Sequence, residues 1–202
     1  MNSEQAALLT TATPSLWERH MMALDDVTQR LNRITQALTA ANVPYALVGG
    51  QAVALWVASI DPAAVRTTKD VNILLDRNDL PTARAAAHAA GFDYFETMGV
   101  GMFLERTNPN PRLGVHICWA GEKIRPQYDL ATPAIAARQT MGGCEVVSVK
   151  DLVVMKLQSN RDQDRVHLRD MIDVGLIDRQ LCDQFPTQLQ EILSELLTEL
   201  GR

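Results

Sequence analysis

One stretch limits the architecture more than any other. Tyr45-Ala-Leu-Val-Gly-Gly50 is followed at once by Gln51-Ala-Val-Ala-Leu-Trp-Val57 and, after a loop, by Arg66-Thr-Thr-Lys-Asp-Val-Asn-Ile-Leu-Leu75. The first run reads as a short buried strand ending in two glycines, and the second as a helix that begins directly after them. This order leaves bare backbone N–H groups at a helix N-terminus, where phosphate oxygens bind well. The third run reads as a strand, Asp70–Leu75. Strand side chains alternate between faces. Asp70 and Asn72 therefore share one face, and Val71, Ile73 and Leu75 share the other. Glycines suited to phosphate and two oxygen ligands on one strand face are parts of a site for a phosphorylated ligand and magnesium.

The remaining chain supplies a mixed pattern. Ser15 and Glu18 form a capping box, and Leu24, Val27, Leu31, Ile34 and Leu38 mark one face of the helix they open. That helix ends before Pro44, because the residue preceding a proline leaves the helical region. A helix rich in alanine spans Thr82 to Ala90. Strands are expected at Phe92–Glu96, Met102–Glu105, Leu113–Trp119 and Cys144–Val147, with a short helix near Pro133–Arg138. Two charged helices follow, Asp151 to about Asn160 and about Asp164 to Val174, before a last helix striped by Leu189, Leu193, Leu196, Leu197 and Leu200. Strands interleaved with helices and then a helical tail define an α/β or α+β fold, a mixed sheet flanked by helices with a C-terminal helical part. The expected organisation is a loosely ordered N-terminus (1–13), one domain (14–178) and a C-terminal helix (179–202).

Charge and cysteine content narrow the function classes. The 202 residues carry 19 basic and 24 acidic groups, a net charge of −5, which argues against broad nonspecific binding of nucleic acid and leaves room for a local basic site. Cys118, Cys144 and Cys182 show no Cys-x-x-Cys pairing and read as buried thiols in a reducing cytosol. No run of about 18 apolar residues is present, and the N-terminus lacks the layout of a signal peptide. A cytoplasmic location without membrane partners is the expectation.

Val48-Gly49-Gly50, the Arg66–Asn72 segment and the later Asp151-Leu-Val-Val-Met-Lys156-Leu together resemble the nucleotidyltransferase-like superfamily, and within it the minimal and AbiEii-type bacterial proteins, some of them toxins of toxin–antitoxin pairs. The resemblance covers about Tyr45 to Asp178. It implies a nucleotidyltransferase-like fold and transfer of a nucleoside monophosphate from a nucleoside triphosphate, ATP among the candidates, to a hydroxyl. It also implies a weakly held magnesium or manganese ion on Asp70 and Asn72, phosphates cradled by Gly49 and Gly50, and Lys156 neutralising developing charge. Arg66, Lys69 and Arg161 are further candidates for holding phosphate. A tRNA end, a protein side chain or a small molecule would each serve as acceptor. The leucine stripe serves as core or as the face of a homodimer.

The same resemblance exposes a departure. Active members carry a second aspartate where this chain has Asn72, and a third carboxylate on a later strand. The matching strand here, Leu113–Trp119, carries His116 and no acid. Asparagine offers a carbonyl oxygen without negative charge, and imidazole suits zinc, manganese or iron better than magnesium. His116 has two readings beside a packed strand histidine: a base for the incoming hydroxyl, or part of a different metal site. The sequence thus admits a transferase and, from another class, a catalytically degenerate module that binds a nucleotide or a partner protein. In the charged segment from Lys156 to Asp173, Arg161, Arg165 and Arg169 would share a face on one continuous helix.

Overall fold

The computed structural model describes residues 13–202. The expected loose N-terminus at 1–13 lies almost entirely outside the described residues.

A long helix opens the fold, α1 (Leu16–Ala40), and the capping box forms as the sequence requires. The Glu18 amide donates to Ser15 Oγ at 3.2 Å, while Glu18 Oε2 accepts the Ser15 amide at 2.7 Å. β1 (Tyr45–Val48) follows, then α2 (Gly49–Ala58), β2 (Val71–Leu75), α3 (Leu80–Ala89), β3 (Phe92–Thr97), β4 (Val100–Glu105) and β5 (Val115–Trp119). The chain finishes with β6 (Arg138–Met141), β7 (Cys144–Val147), α4 (Val149–Ser159), α5 (Asp162–Asp173), α6 (Arg179–Cys182) and α7 (Thr187–Glu199).

The strands form one seven-stranded mixed sheet in the order β3-β4-β5-β2-β1-β7-β6. β1 runs antiparallel to β2 and parallel to β7, and β2 runs parallel to β5. The central strands β1 and β2 are buried along nearly their whole length, which is why they read as continuous apolar runs. The α/β expectation therefore holds, as a mixed sheet flanked by helices.

Several boundaries differ from the sequence reading, each for a local reason. The glycine pair belongs to α2 rather than to the strand before it, and β2 starts at Val71, so Asp70 sits just ahead of the strand. The short helix expected near Pro133–Arg138 is one 3₁₀ turn over Ile135–Ala137, and Arg138 already belongs to β6. β6 pairs with β7 through the tight Gly142-Gly143 turn, whose two positive φ values (58° and 80°) only glycine adopts without strain. The leucine stripe of α7 is core: Leu193, Leu196 and Leu197 are fully buried, which removes most of that face from any dimer contact. Each such side chain contributes about 1.5–3 kcal/mol of burial. No helix among the described residues is long and apolar enough to cross a membrane.

Candidate functional site

The turn from β1 into α2 fixes one end of the site. Val48 caps α2 without any side-chain hydrogen bond, so the first amides of the helix stay available to a ligand. Gly49 takes φ +67°, and a Cβ there would lie 2.9 Å from Asn72 Nδ2. A Cβ on Gly50 would lie 2.6 Å from Thr68 Oγ1. The two glycines thus permit a close approach of the helix start to the Thr67–Asn72 segment. Gln51 Nε2 reinforces it by donating to the Thr68 carbonyl at 3.3 Å.

Register sets the next layer. Asn72 pairs with Val48 on one side and with His116 on the other, so these three lie in one row across three adjacent strands, and the glycine turn that follows Val48 packs against Asn72. Asp70 stands exposed at the entrance to that row. All of them line one cleft of about 820 Å³, together with Lys69, Lys156 and Arg161. The sequence candidates are brought together with one exception. Arg66 does not line the cleft; its Nε donates to both carboxylate oxygens of Asp170 at 2.8 Å, tying the loop before β2 to α5.

The far wall of the cleft is formed by α4 and α5, and here the structure corrects a second expectation. The chain breaks at Asn160, which adopts a left-handed conformation (φ 43°) and ends α4. Arg161 lies at the N-terminal boundary of α5 and turns to the cleft. Arg165 and Arg169 instead face α7, where they pair with Glu195 at 3.9 Å and Glu199 at 2.7 Å. The three arginines do not form a shared face.

Lys156 is not a free cation. It is buried, and its Nζ lies 2.8 Å from Asp164 Oδ1 and 2.9 Å from His167 Nδ1, while Arg161 Nε donates to Asp164 Oδ2 at 2.8 Å. Burial alone would raise the Asp164 carboxyl, but the hydrogen bonds and charges of Arg161 and Lys156 win and hold it down to about 2. Burial, aided by the neighbouring Lys156 charge, depresses His167 to about 4, so it is neutral near pH 7. Neutral His167 then accepts from Lys156 through Nδ1 and carries its proton on Nε2. Gln163 Nε2 lies 2.9 Å from His167 Nε2; with that ring nitrogen protonated, the Gln163 amide accepts the proton only when turned over to present its oxygen. Sequence reasoning alone does not single out Asp164 and His167. Their three-residue spacing on α5 was the available signal, since it sets both on one helix face.

Cys118 also lines the cleft, but burial pushes its thiol up to about 11, which leaves it protonated and a poor nucleophile. Around the whole cleft, five basic side chains (Lys69, Arg77, Lys123, Lys156 and Arg161) stand against three acidic ones (Asp70, Glu122 and Asp164). In a chain of net charge −5 this is a local excess of positive charge, suited to an anion.

The donor set at the row's entrance is one carboxylate, one amide and one imidazole. No group of three His, Cys, Asp or Glu side chains among the described residues is placed to hold a metal ion. These residues do not fit a resident magnesium site.

No protein-family model and no curated protein matches the chain. Among solved structures it is similar to the antibiotic-resistance factor ANT(2'')-Ia in solution, with a TM-score of 0.47 and 15% identity over 87% of this chain and 86% of that one. It is also similar to the crystal structure of ANT(2'')-Ia with adenylyl-2''-tobramycin, with a TM-score of 0.45 and 14% identity over 88% and 99% of the two chains. A Helicobacter pylori protein described as a candidate nucleotidyltransferase gives a TM-score of 0.44 and 12% identity over 89% and 96%. Likenesses this distant assign no substrate.

Proposed function

We propose that the cleft binds a nucleoside triphosphate together with its divalent ion and transfers the nucleoside monophosphate to a hydroxyl, with the charge missing at Asn72 limiting both steps. The observation that carries this reading is the row of Val48, Asn72 and His116 behind Asp70, with the glycine turn packed against Asn72. It supports the reading because, on it, the uncapped helix amides would meet phosphate, the oxygens of Asp70 and Asn72 would meet the ion, and His116 would serve as base. Lys69 and Arg161 supply positive charge to the phosphates. Lys156 acts through its buried network, holding the Asp164 carboxylate that orients Arg161. When bound, the divalent ion neutralises phosphate charge. In the transfer, the acceptor oxygen bonds to the α-phosphorus as the bond to the bridging oxygen breaks. Pyrophosphate leaves with the electron pair, and the hydroxyl proton passes to His116.

Asn72 itself favours a second reading, in which nucleotide binding persists without transfer, as in a regulatory module. A toxin–antitoxin role fits either reading. The two separate in one pair of measurements. Calorimetry with ATP, CTP, GTP and UTP, each with magnesium or manganese, should show weak divalent-dependent binding to at least one nucleotide. Label from the α-phosphate appearing on an RNA, a protein or a small hydroxyl compound establishes transfer, and binding without label movement establishes the regulatory reading. No heat with any nucleotide at millimolar concentration overturns both.

A further inference from the structure

Asp70, Asn72 and His116 line two cavities, and a nucleotide in the larger one leaves the other open. The second is a shallow depression of about 560 Å³ bounded by the same three residues together with Pro111 and Arg112. A reaction between two substrates needs such a junction, because the reacting atoms of both must meet at one set of side chains. The wall carrying Arg112 is built for position. Pro111–Leu113 forms a 3₁₀ turn directly before β5, and Asn110 Oδ1 accepts the Arg112 amide at 3.0 Å. Of the arginines that line the two cavities, Arg77 and Arg161 are held by carboxylates, at 2.5 and 2.8 Å. Arg112 is exposed and takes part in no ion pair among the described residues.

We infer that this depression is the acceptor subsite and that the acceptor is a hydroxyl compound bearing a phosphate, held by Arg112 with its hydroxyl directed at His116. The inference rests on the nucleotide reading of the larger cleft. A guanidinium fork matches phosphate oxygens in pairs, which fixes orientation as well as attraction. The phosphate comes from one of two sources, a free phosphorylated small molecule or the terminal nucleotide of an RNA.

The test is an NMR titration of the full chain with ribose 5-phosphate, in the presence of magnesium and a saturating non-hydrolysable ATP analogue. Resonances of Arg112 and His116 should shift while those of Gly49 and Gly50 stay at their nucleotide-bound positions, and ribose without phosphate should do nothing. Arg112→Ala should weaken ribose 5-phosphate at least about tenfold, the loss expected for a charge-assisted hydrogen bond to phosphate. Arg112→Lys should retain part of it. A short single-stranded RNA with a free 3′ hydroxyl binding more tightly than ribose 5-phosphate assigns the phosphate to a terminal nucleotide; equal or weaker binding assigns it to a free compound, and both uphold the subsite. Ribose 5-phosphate that displaces the ATP analogue and moves only Gly49, Gly50 and Lys69, or that binds Arg112→Ala as well as the native chain, overturns it. An ATP analogue that leaves Gly49, Gly50 and Lys69 unmoved defeats the nucleotide reading instead, and the Arg112 response still decides the phosphate subsite.

Discussion

The two walls of the cleft treat charge in opposite ways. On the α4–α5 wall, Lys156, Asp164 and His167 are all buried, and each polar contact is answered by another side chain. On the sheet wall, Asp70 and Lys69 are exposed, and the amides of the glycine turn have no side-chain cap. A closed network stabilises the fold and holds its neighbours in place. An open set of charges and donors is satisfied by water or by a ligand. The comparison therefore divides the charged residues by environment: the α4–α5 network is a closed frame with Arg161 at its exposed edge, and on the proposed reading the ligand meets that edge and the sheet wall.

The largest expected effect comes from breaking the frame. Asp164→Ala leaves the Lys156 ammonium buried beside Arg161 without its counter-charge. Removing one partner of a buried ion pair costs about 3–5 kcal/mol. Urea denaturation followed by circular dichroism should show that loss, and Lys156→Met combined with Asp164→Leu should recover most of it. A loss below about 1 kcal/mol for Asp164→Ala would mean that water reaches the pair, and the contrast between the walls would fail.

Acid titration tests the frame without mutation. The folded value of His167 is depressed to about 4 from an ordinary 6.5. Well above pH 6.5 neither folded nor unfolded imidazole is charged. As pH falls from 6.5 towards 4 the unfolded chain takes up a proton that the folded one refuses, so stability drops, by roughly 3 kcal/mol. Asp164 adds a second stage. Its carboxylate is favoured by the fold, so its contribution is present above its ordinary 3.8 and fades as pH falls towards 2, by roughly 2 kcal/mol. His167→Gln should remove the upper stage and leave the lower one. An unchanged slope between pH 6.5 and 4 in that variant would show that His167 is protonated in the fold.

The two walls also differed in how far the sequence revealed them. The glycine turn, Asp70, Asn72 and the Ser15–Glu18 capping box are local in the chain, and local rules about backbone freedom and strand alternation suffice to place them. The closed network depends on how two helices turn at Asn160, a left-handed residue that one-dimensional periodicity cannot weigh. The same charge density reads equally well as a solvated face. Arg66 flanks Asp70 in the chain, yet Asp170, 104 residues away, holds it elsewhere. β6 escaped because Arg138-Gln-Thr-Met141 lacks apolar alternation, as an exposed edge strand does, although Gly142-Gly143 announced its hairpin turn.

On the sheet wall the expected effects are smaller, because water answers what mutation removes. Gly49→Ala places a Cβ at a positive φ and 2.9 Å from the Asn72 amide. The strain should cost about 1–2 kcal/mol of stability. Nucleotide binding should weaken more than stability predicts, since the helix amides move away from the phosphates. Thermal unfolding and calorimetry on the same sample separate the two. Equal losses in both would reduce the glycine pair to a structural turn.

Asn72→Asp gives the smallest change in free energy and the most direct reading of the open wall. The substitution is nearly isosteric, so contacts with Gly49 and His116 survive, and one negative charge is added where the nucleotide's ion would sit. Two opposite unit charges about 4 Å apart attract by about 4 kcal/mol at an effective dielectric of about 20. Desolvation of the carboxylate in a half-buried position takes back much of that. If a quarter survives, about 1 kcal/mol, affinity for magnesium–nucleotide rises about fivefold. Asp70→Asn should abolish divalent-dependent binding, because it removes the remaining charged ligand of the row. Titration of the native chain and both variants at one ionic strength decides the matter. Should Asn72→Asp bind no better while its circular dichroism is unchanged, position 72 does not face the ion, and the row of Asn72 and His116 belongs to the frame rather than to the ligand.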